Sequence, residues 1–448
     1  MAKPRRVFTC QECSKQAAKW MGRCGDCGAW NSLVEQVVPS KSAAVAAPSV
    51  ARTLAEIQPD RGGEVRVRTG IGELDEVLGG GIVAGSLILV GGDPGVGKST
   101  LLLMAMNSFS ARGLPVLYAT GEESPQQVRM RADRLGVDGS ALWLVADTDW
   151  PSIEAAIHQH KPMVAVIDSV QTVAVPELSG VPGTVGQVRE VAHRAMKLAK
   201  GSGTAIFLVG HVTKSGDLAG PKVLEHLVDT VLHFEGDGRS SLRVLRAVKN
   251  RFGAAGELGM FEMADDGLRE VPDASARLLE ERAHGACGTA VLCAIEGSRP
   301  VLAEVQALVG HPSPQIAART CVGVDRARVL MLAAVLQKAG IPLHDRDIFV
   351  NAAGGLRLIE PATDLAMVLA LVSSATDRPV PADVAAFGEV GLVGEVRATS
   401  YPAMRLREAA RHGFRRIIAP ARVAEHAPDG VTVVPVRSVA DVLGVLDD

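Results

Sequence analysis

Aromatic residues make up only 3% of this 448-residue chain, with four tryptophans and two tyrosines. So thin a supply argues against an extended platform of rings for stacking bases. No apolar run approaches the roughly 18 residues of a membrane-spanning helix, so no membrane partner is expected. The basic start Met-Ala-Lys-Pro-Arg-Arg is followed by no apolar stretch of the kind a secretion signal carries, which makes the cytoplasm the expected location. Neither sign of charge is in excess. Lys and Arg number 47 against 50 Asp and Glu, a formal net charge of −3. Any nucleic-acid contact must therefore come from local basic patches. Cysteine is scarce beyond the N-terminus. Four of the seven fall within the first 27 residues, while Cys287, Cys293 and Cys321 are scattered through apolar sequence, as reduced core thiols are.

With 47% hydrophobic and 22% charged residues the composition is that of a soluble globular protein. The length asks for two or three domains. Residues 1–35 form a small Cys-rich unit. Residues 36–67 read as a linker, since Pro39–Ala51 is rich in Ala, Ser, Pro and Val and lacks amphipathic period. Over 68–275 short apolar runs alternate with amphipathic stretches. Leu87–Val90, Val116–Ala119, Leu142–Val145, Val164–Ile167 and Ala205–Val209 read as buried parallel strands, which Val231–Phe234 and Leu242–Val248 extend. Ser124-Pro125 and Asp149-Trp150-Pro151 pair a capping side chain with an early proline. The alternation implies an α/β fold with a doubly wound, mostly parallel sheet. A second α/β unit covers 284–448, with strands near Thr289–Ile295, Val301–Leu308 and Ile348–Asn351 and helices near Asp325–Gln337, Ala362–Ser374 and Tyr401–His412.

One octapeptide carries the most chemistry. Gly92-Asp93-Pro94-Gly95-Val96-Gly97-Lys98-Ser99 spells G-x-x-x-x-G-K-S between an apolar strand and the helical run Leu101–Met106. A glycine-rich turn there points backbone N–H groups at phosphate oxygens, and Thr100 continues the cradle into the helix. Lys98 reaches the β/γ-phosphates and the Ser99 hydroxyl ligates Mg²⁺. The expected cofactors are therefore ATP and Mg²⁺. Downstream, Val164-Ala-Val-Ile-Asp168 is an apolar strand ending in a carboxylate that can orient the Mg²⁺ shell. Gly121-Glu122-Glu123-Ser124 follows the second strand, where Glu122 is the candidate base for the attacking water. Glu123, alternatively, only favours a helix N-terminus through its dipole. His211 either senses the γ-phosphate or is an ordinary loop histidine.

Cys10-x2-Cys13, ten residues, then Cys24-x2-Cys27 approaches the two-knuckle zinc signature. Four thiolates on two tight turns close a tetrahedron around Zn²⁺ with no open position, so the site is structural. Two disulfides or a redox pair are the alternatives. In Arg239–Arg251, a stretch without an acid, Arg243, Lys249 and Arg251 share one strand face by parity. They suit either a neighbouring subunit's nucleotide, as an arginine finger does, or DNA phosphates.

Taken together these motifs resemble the bacterial RadA (Sms) family of DNA repair and recombination proteins, RecA-superfamily ATPases. The resemblance rests on the four cysteines, Thr69-Gly-Ile-Gly-Glu-Leu-Asp75, Leu78-Gly-Gly-Gly81, Gly91–Thr100, Gly121–Ser124, Asp168-Ser-Val-Gln-Thr172 and Lys249-Asn-Arg-Phe-Gly253, and spans almost the whole chain. It implies a RecA-like core, a zinc finger, and a hexameric ring whose ATPase drives movement on single-stranded DNA and branch migration of recombination intermediates. A RecA-type recombinase is an implied partner, and Lys249 and Arg251 are implied to couple hydrolysis to DNA at the subunit boundary. Val173–Val188 and Thr213–Lys222 occupy the places of DNA-facing loops, with a composition suited to mobility. The C-terminal unit is similar to the Lon protease domain, but Ala362 stands at the nucleophile's place and Ala403 at the lysine's. It is thus expected to be a proteolytically inactive scaffold, with a surface patch of Arg397, Arg405, Arg407 and Arg411 for DNA. A KaiC-like signalling ATPase without DNA and an ATP-dependent protease are the alternatives.

Overall fold

The computed structural model describes residues 5–10, 13, 15–38, 66–210, 223–236, 241–312 and 317–445. Pro39–Ala51, His211 and Thr213–Lys222 lie outside the described residues. The chain divides into two compact units, Met1–Glu235 with Arg243–Ala255 and Phe261–Glu270, and Gly236–Leu242 with Gly256–Met260 and Val271–Asp448.

The first unit is built on a nine-stranded sheet. In chain order its strands are β1 (Leu87–Gly92), β2 (Val116–Thr120), β3 (Leu142–Ala146), β4 (Val164–Asp168), β5 (Ala205–Val209), β6 (Thr230–Glu235), β7 (Leu242–Asn250), β8 (Leu258–Ala264) and β9 (Gly267–Glu270). In space they run β9-β8-β7-β6-β1-β5-β4-β2-β3, with β1 to β6 mutually parallel and β7 antiparallel to β6. Helices α1 (Lys98–Ala111), α2 (Pro125–Arg134), α3 (Trp150–His160), α4 (Val185–Ser202) and α5 (Val223–Leu227) cover it. Alternation sorts the core into two layers. Ile88 and Val90 pack with Leu101, Leu102 and Met106 of α1, while Leu87 and Leu89 pack with Trp150, Val191 and Ala195 of α3 and α4. The central strand β1, buried at all six positions, thereby holds the glycine turn rigidly at the carboxyl edge of the sheet, where α/β folds bind ligands.

The structure departs from three expectations. Leu142–Val145 is not a buried strand: β3 is the sheet's edge, with a neighbour on one side only, and Trp143 is 48% exposed, stacked on His160. Asp149 stands at the N-cap of α3, but its side chain caps nothing, whereas Ser124 completes a reciprocal capping box with Gln127 on α2. Val173–Val188 is not one mobile loop. Val173 and Val175 are buried, α4 begins at Val185, and Gln187 binds the backbone of Val175, Leu178 and Gly180.

The second unit has a seven-stranded sheet in the order β12-β13-β11-β10-β14-β15-β16. These are β10 (Thr289–Glu296), β11 (Arg299–Pro312), β12 (Arg319–Val322), β13 (Arg346–Ala352), β14 (Val384–Ala386), β15 (Arg416–Pro420) and β16 (Thr432–Val436). Helices α6 (Arg326–Lys338), α7 (Thr363–Thr376) and α8 (Pro402–Arg411) accompany it, α7 being buried along nearly its whole length.

Candidate active site and metal centre

Lys98 opens α1, and the preceding Gly97 takes φ +112, a conformation that side chains rarely adopt. Gly92 is required for another reason: a Cβ there would stand 2.3 Å from the Phe234 carbonyl oxygen on β6. Lys98 is only 4% exposed. Its Nζ donates to the carbonyl oxygens of Gly92 (2.8 Å) and Asp93 (2.9 Å). Burial pulls the lysine below its ordinary pKa, while the carboxylates of Asp168, Glu122 and Asp93 oppose that and favour the charged form. Ser99 and Thr100 follow in the first turn of α1, where backbone N–H groups have no partner within the helix.

Asp168 ends β4 buried, and its Oδ2 accepts the Tyr118 hydroxyl at 2.5 Å. The phenol is held well above its usual pKa, first by burial and then by the adjacent Asp168 charge, so it stays a donor. Tyr118 belongs to no motif, and the signal that marks it is its place on β2, one strand over and facing α1. The two glutamates separate. Glu123 is tied to Arg131 of α2, and Glu122 accepts the hydroxyl of Ser169, the residue after Asp168. Lys98, Asp168 and Glu122 thus converge at the carboxyl edge of the sheet.

Lys249 and Arg251 do not join them in the same chain. Register puts Phe234 beside both Gly92 and Leu245, but Thr230 beside Ile88 and Asn250. The basic pair therefore stands at the opposite edge, roughly 13 Å along the strands at about 3.3 Å per residue. Lys249 Nζ donates to the carbonyls of Glu225 (2.5 Å) and Val228 (2.7 Å), at the end of α5. Burial, then the charge of Arg251, lowers its pKa. Arg251 pairs with Asp229 at 3.1 Å, and Asp229 Oδ2 accepts the Leu87 N–H at the foot of β1. The parity expectation for Arg243 fails, because a bulge between Val231 and Leu232 sets Ala247 and Lys249 opposite consecutive residues. Arg243 consequently follows Leu245 and Ala247 towards the α1 side, and Lys249 faces the α4 side with Val231.

The cysteine module has a sheet of its own. Its strands Arg5–Cys10, Gln16–Ala17 and Leu33–Val38 form a small sheet. All four sulfurs lie within 4.8 Å of one another, with Cys10–Cys27 at 3.6 Å and Cys13–Cys24 at 3.5 Å. A tetrahedral zinc at about 2.3 Å from each sulfur wants edges of about 3.8 Å, so the set fits the ion. Backbone N–H groups of Cys27 and then Asp26 hold the Cys24 thiol below its ordinary pKa. A strong chelator is expected to remove a single zinc ion per chain and to melt this module, whose apolar core is small. Metal release measured with a chromogenic chelator, together with tryptophan emission, checks this.

In the second unit Ala362 and Ala403 leave the protease places without a hydroxyl or an amine. Nearby, Ser373 accepts the Gly288 N–H and donates to the Arg378 carbonyl, and Ser374 accepts the Val309 N–H, so both serine hydroxyls are engaged in structure. The expected arginine patch is corrected. Arg405 has no exposed surface: it forms a bidentate pair with Glu360 and donates to the carbonyls of Cys293 and Ser400. It points inward because it shares the buried face of α8 with Leu406 and Ala409.

The chain is similar to known proteins over its length. The family described as "ATPase: KaiC" matches residues 67–143, "Rubredoxin metal binding domain" matches 8–35, and "Subunit ChlI of Mg-chelatase" matches 303–423. A protein of Pseudomonas aeruginosa named DNA repair protein RadA is 49% identical, with all of both chains aligned. Its namesake in Bacillus subtilis is 46% identical over 99% of each chain, and that in Streptococcus pyogenes serotype M1 46% over all of both. The chain belongs to the RadA family. RadA membership makes it a DNA repair protein with a RecA-like ATPase core, an N-terminal zinc ribbon and a ChlI/Lon-like C-terminal domain. Among the described residues no helix of this RadA chain is long and apolar enough to cross a membrane.

Proposed function

We propose that the chain is an Mg²⁺–ATP-dependent motor that works as a homo-oligomeric ring, a hexamer, on single-stranded DNA and branched recombination intermediates, alongside a RecA-type recombinase. The observation that carries this reading is the placement of the glycine turn and of Lys249 and Arg251 on opposite edges of one sheet. A chain so built cannot close its own site; a neighbour offering its far edge can. Within the site the backbone of Gly92–Ser99 would hold phosphates, Lys98 would balance their charge, and Ser99 with Asp168 would hold the magnesium. When bound, that magnesium would supply neutralisation of phosphate charge. Glu122, positioned by Ser169, takes the proton of the attacking water. Lys249 and Arg251 of the adjacent subunit meet the charge that develops on the transferred group. The Lon-like domain serves as a scaffold without proteolysis.

The test is complementation. Lys98→Ala and Arg251→Ala chains, each inactive alone, are mixed and assayed for hydrolysis with single-stranded DNA. A mixed ring contains boundaries where an intact glycine turn faces an intact Arg251, so part of the turnover should return. A mixture as inactive as its components refutes the shared site, and wild-type turnover indifferent to single-stranded DNA refutes the motor.

A further inference from the structure

Half of the chain's four tryptophans belong to its zinc module, and both are on the surface, Trp20 56% and Trp30 73% exposed. Indoles are costly to leave in water, and two together mark a surface that binds something. They border one spot: a Cβ on Gly22 would lie 3.9 Å from the Trp20 ring and 4.0 Å from the Trp30 ring. The backbone beneath is fixed. Arg23 and Trp30 face each other across an antiparallel bridge, Asn31 N–H donates to the Gly22 carbonyl at 2.7 Å, and Cys24 N–H donates to that of Ala29 at 2.8 Å. The rings therefore ride on the knuckle that supplies Cys24 and Cys27. Arg23 completes the group, its guanidinium carbon 5.7 Å from the centre of the Trp30 ring and its Nε anchored on the Gly28 carbonyl at 2.9 Å. Exposed Lys19 adjoins Trp20.

We propose that Trp20, Trp30 and Arg23 form a stacking site for single-stranded nucleic acid, with unpaired bases on the indole faces and Arg23 and Lys19 towards the phosphates. The rim chemistry selects this occupant. Residues 1–30 carry six Lys and Arg against two acids, and a tetrathiolate zinc of charge about −2 leaves the module cationic. Every base offers a π-face, so such a site is indifferent to sequence, as a motor on DNA requires. The low aromatic content excludes a long platform and is compatible with a local pair of rings. The inference rests on the DNA reading above and adds where the strand is gripped.

The experiment uses the full-length, zinc-loaded chain carrying Trp143→Phe, so that the exposed emitters are Trp20 and Trp30. It is titrated with oligo(dT) and with an abasic deoxyribose-phosphate oligomer of equal length. Oligo(dT) should quench the emission and bind tighter than the abasic strand. Trp20→Ala and Trp30→Ala should each weaken oligo(dT) binding by about tenfold with bound zinc unchanged, and Trp→Phe should restore most of it. Lys19→Ala should lower the salt dependence by about one phosphate contact. If wild type binds oligo(dT) and both alanine variants bind it equally well, the stacking site is refuted, the motor reading stands, and the indoles face a protein. Equal affinity for the abasic strand refutes stacking as well. A wild type that binds no strand at all refutes both readings together.

Discussion

Lys98→Ala is expected to abolish ATP turnover, a loss on the order of 10²–10³-fold or more for removal of one charge-stabilising group. The ammonium is buried and sits among three carboxylates, so its removal leaves their negative charge unbalanced. It donates to the carbonyls of Gly92 and Asp93, which places it over the glycine turn proposed to hold the phosphates. Lys98→Arg should fail nearly as completely, since a planar guanidinium is not the compact point charge that the buried position and its two carbonyl partners hold. Steady-state hydrolysis of both full-length variants decides it, with circular dichroism reporting the fold. Turnover near the wild-type level would remove the assigned phosphate site altogether.

How far this could be read in advance differs from residue to residue. The glycine turn, Asp168 and the four cysteines are legible because their chemistry is local: contiguous spacing alone aims the amides, ends a strand in a carboxylate or pairs two knuckles. The strands over Leu87–Val209 are legible for the same reason, as apolar runs with marked helix starts. What escaped depends on neighbours in space. Trp143 sits in an apolar run like the others, and only the strand order makes its strand an edge. The parity of Arg243 and Lys249 breaks at a bulge that no spacing announces. The pairing of Glu123 with Arg131 separates it from Glu122, while Tyr118 and Asp229 gain meaning only from the groups set against them. Arg405 looked like a surface cation because its partner is 45 residues away.

That arginine yields the other large effect. Arg405→Ala should destabilise the C-terminal unit by about 3–5 kcal/mol, the range for breaking a buried ion pair from one side. The deletion leaves the Glu360 carboxylate without its bidentate donor and strands the carbonyl oxygens of Cys293 and Ser400, which accept at 2.5 and 2.9 Å. It also removes the guanidinium stacked 5.5 Å over the Phe387 ring, so packing is lost along with charge. Arg411→Ala is the internal contrast. Its side chain is 62% exposed and its partner Asp273 is 37% exposed, so that change should stay within about 0.5 kcal/mol. Urea unfolding of the full-length variants measures both. The double variant Arg405→Met with Glu360→Gln should recover much of the loss, because the uncompensated charge leaves with the arginine. If Arg405→Ala unfolds at the wild-type midpoint, the residue is not buried in solution, and its place among the DNA-facing cations would have to be restored.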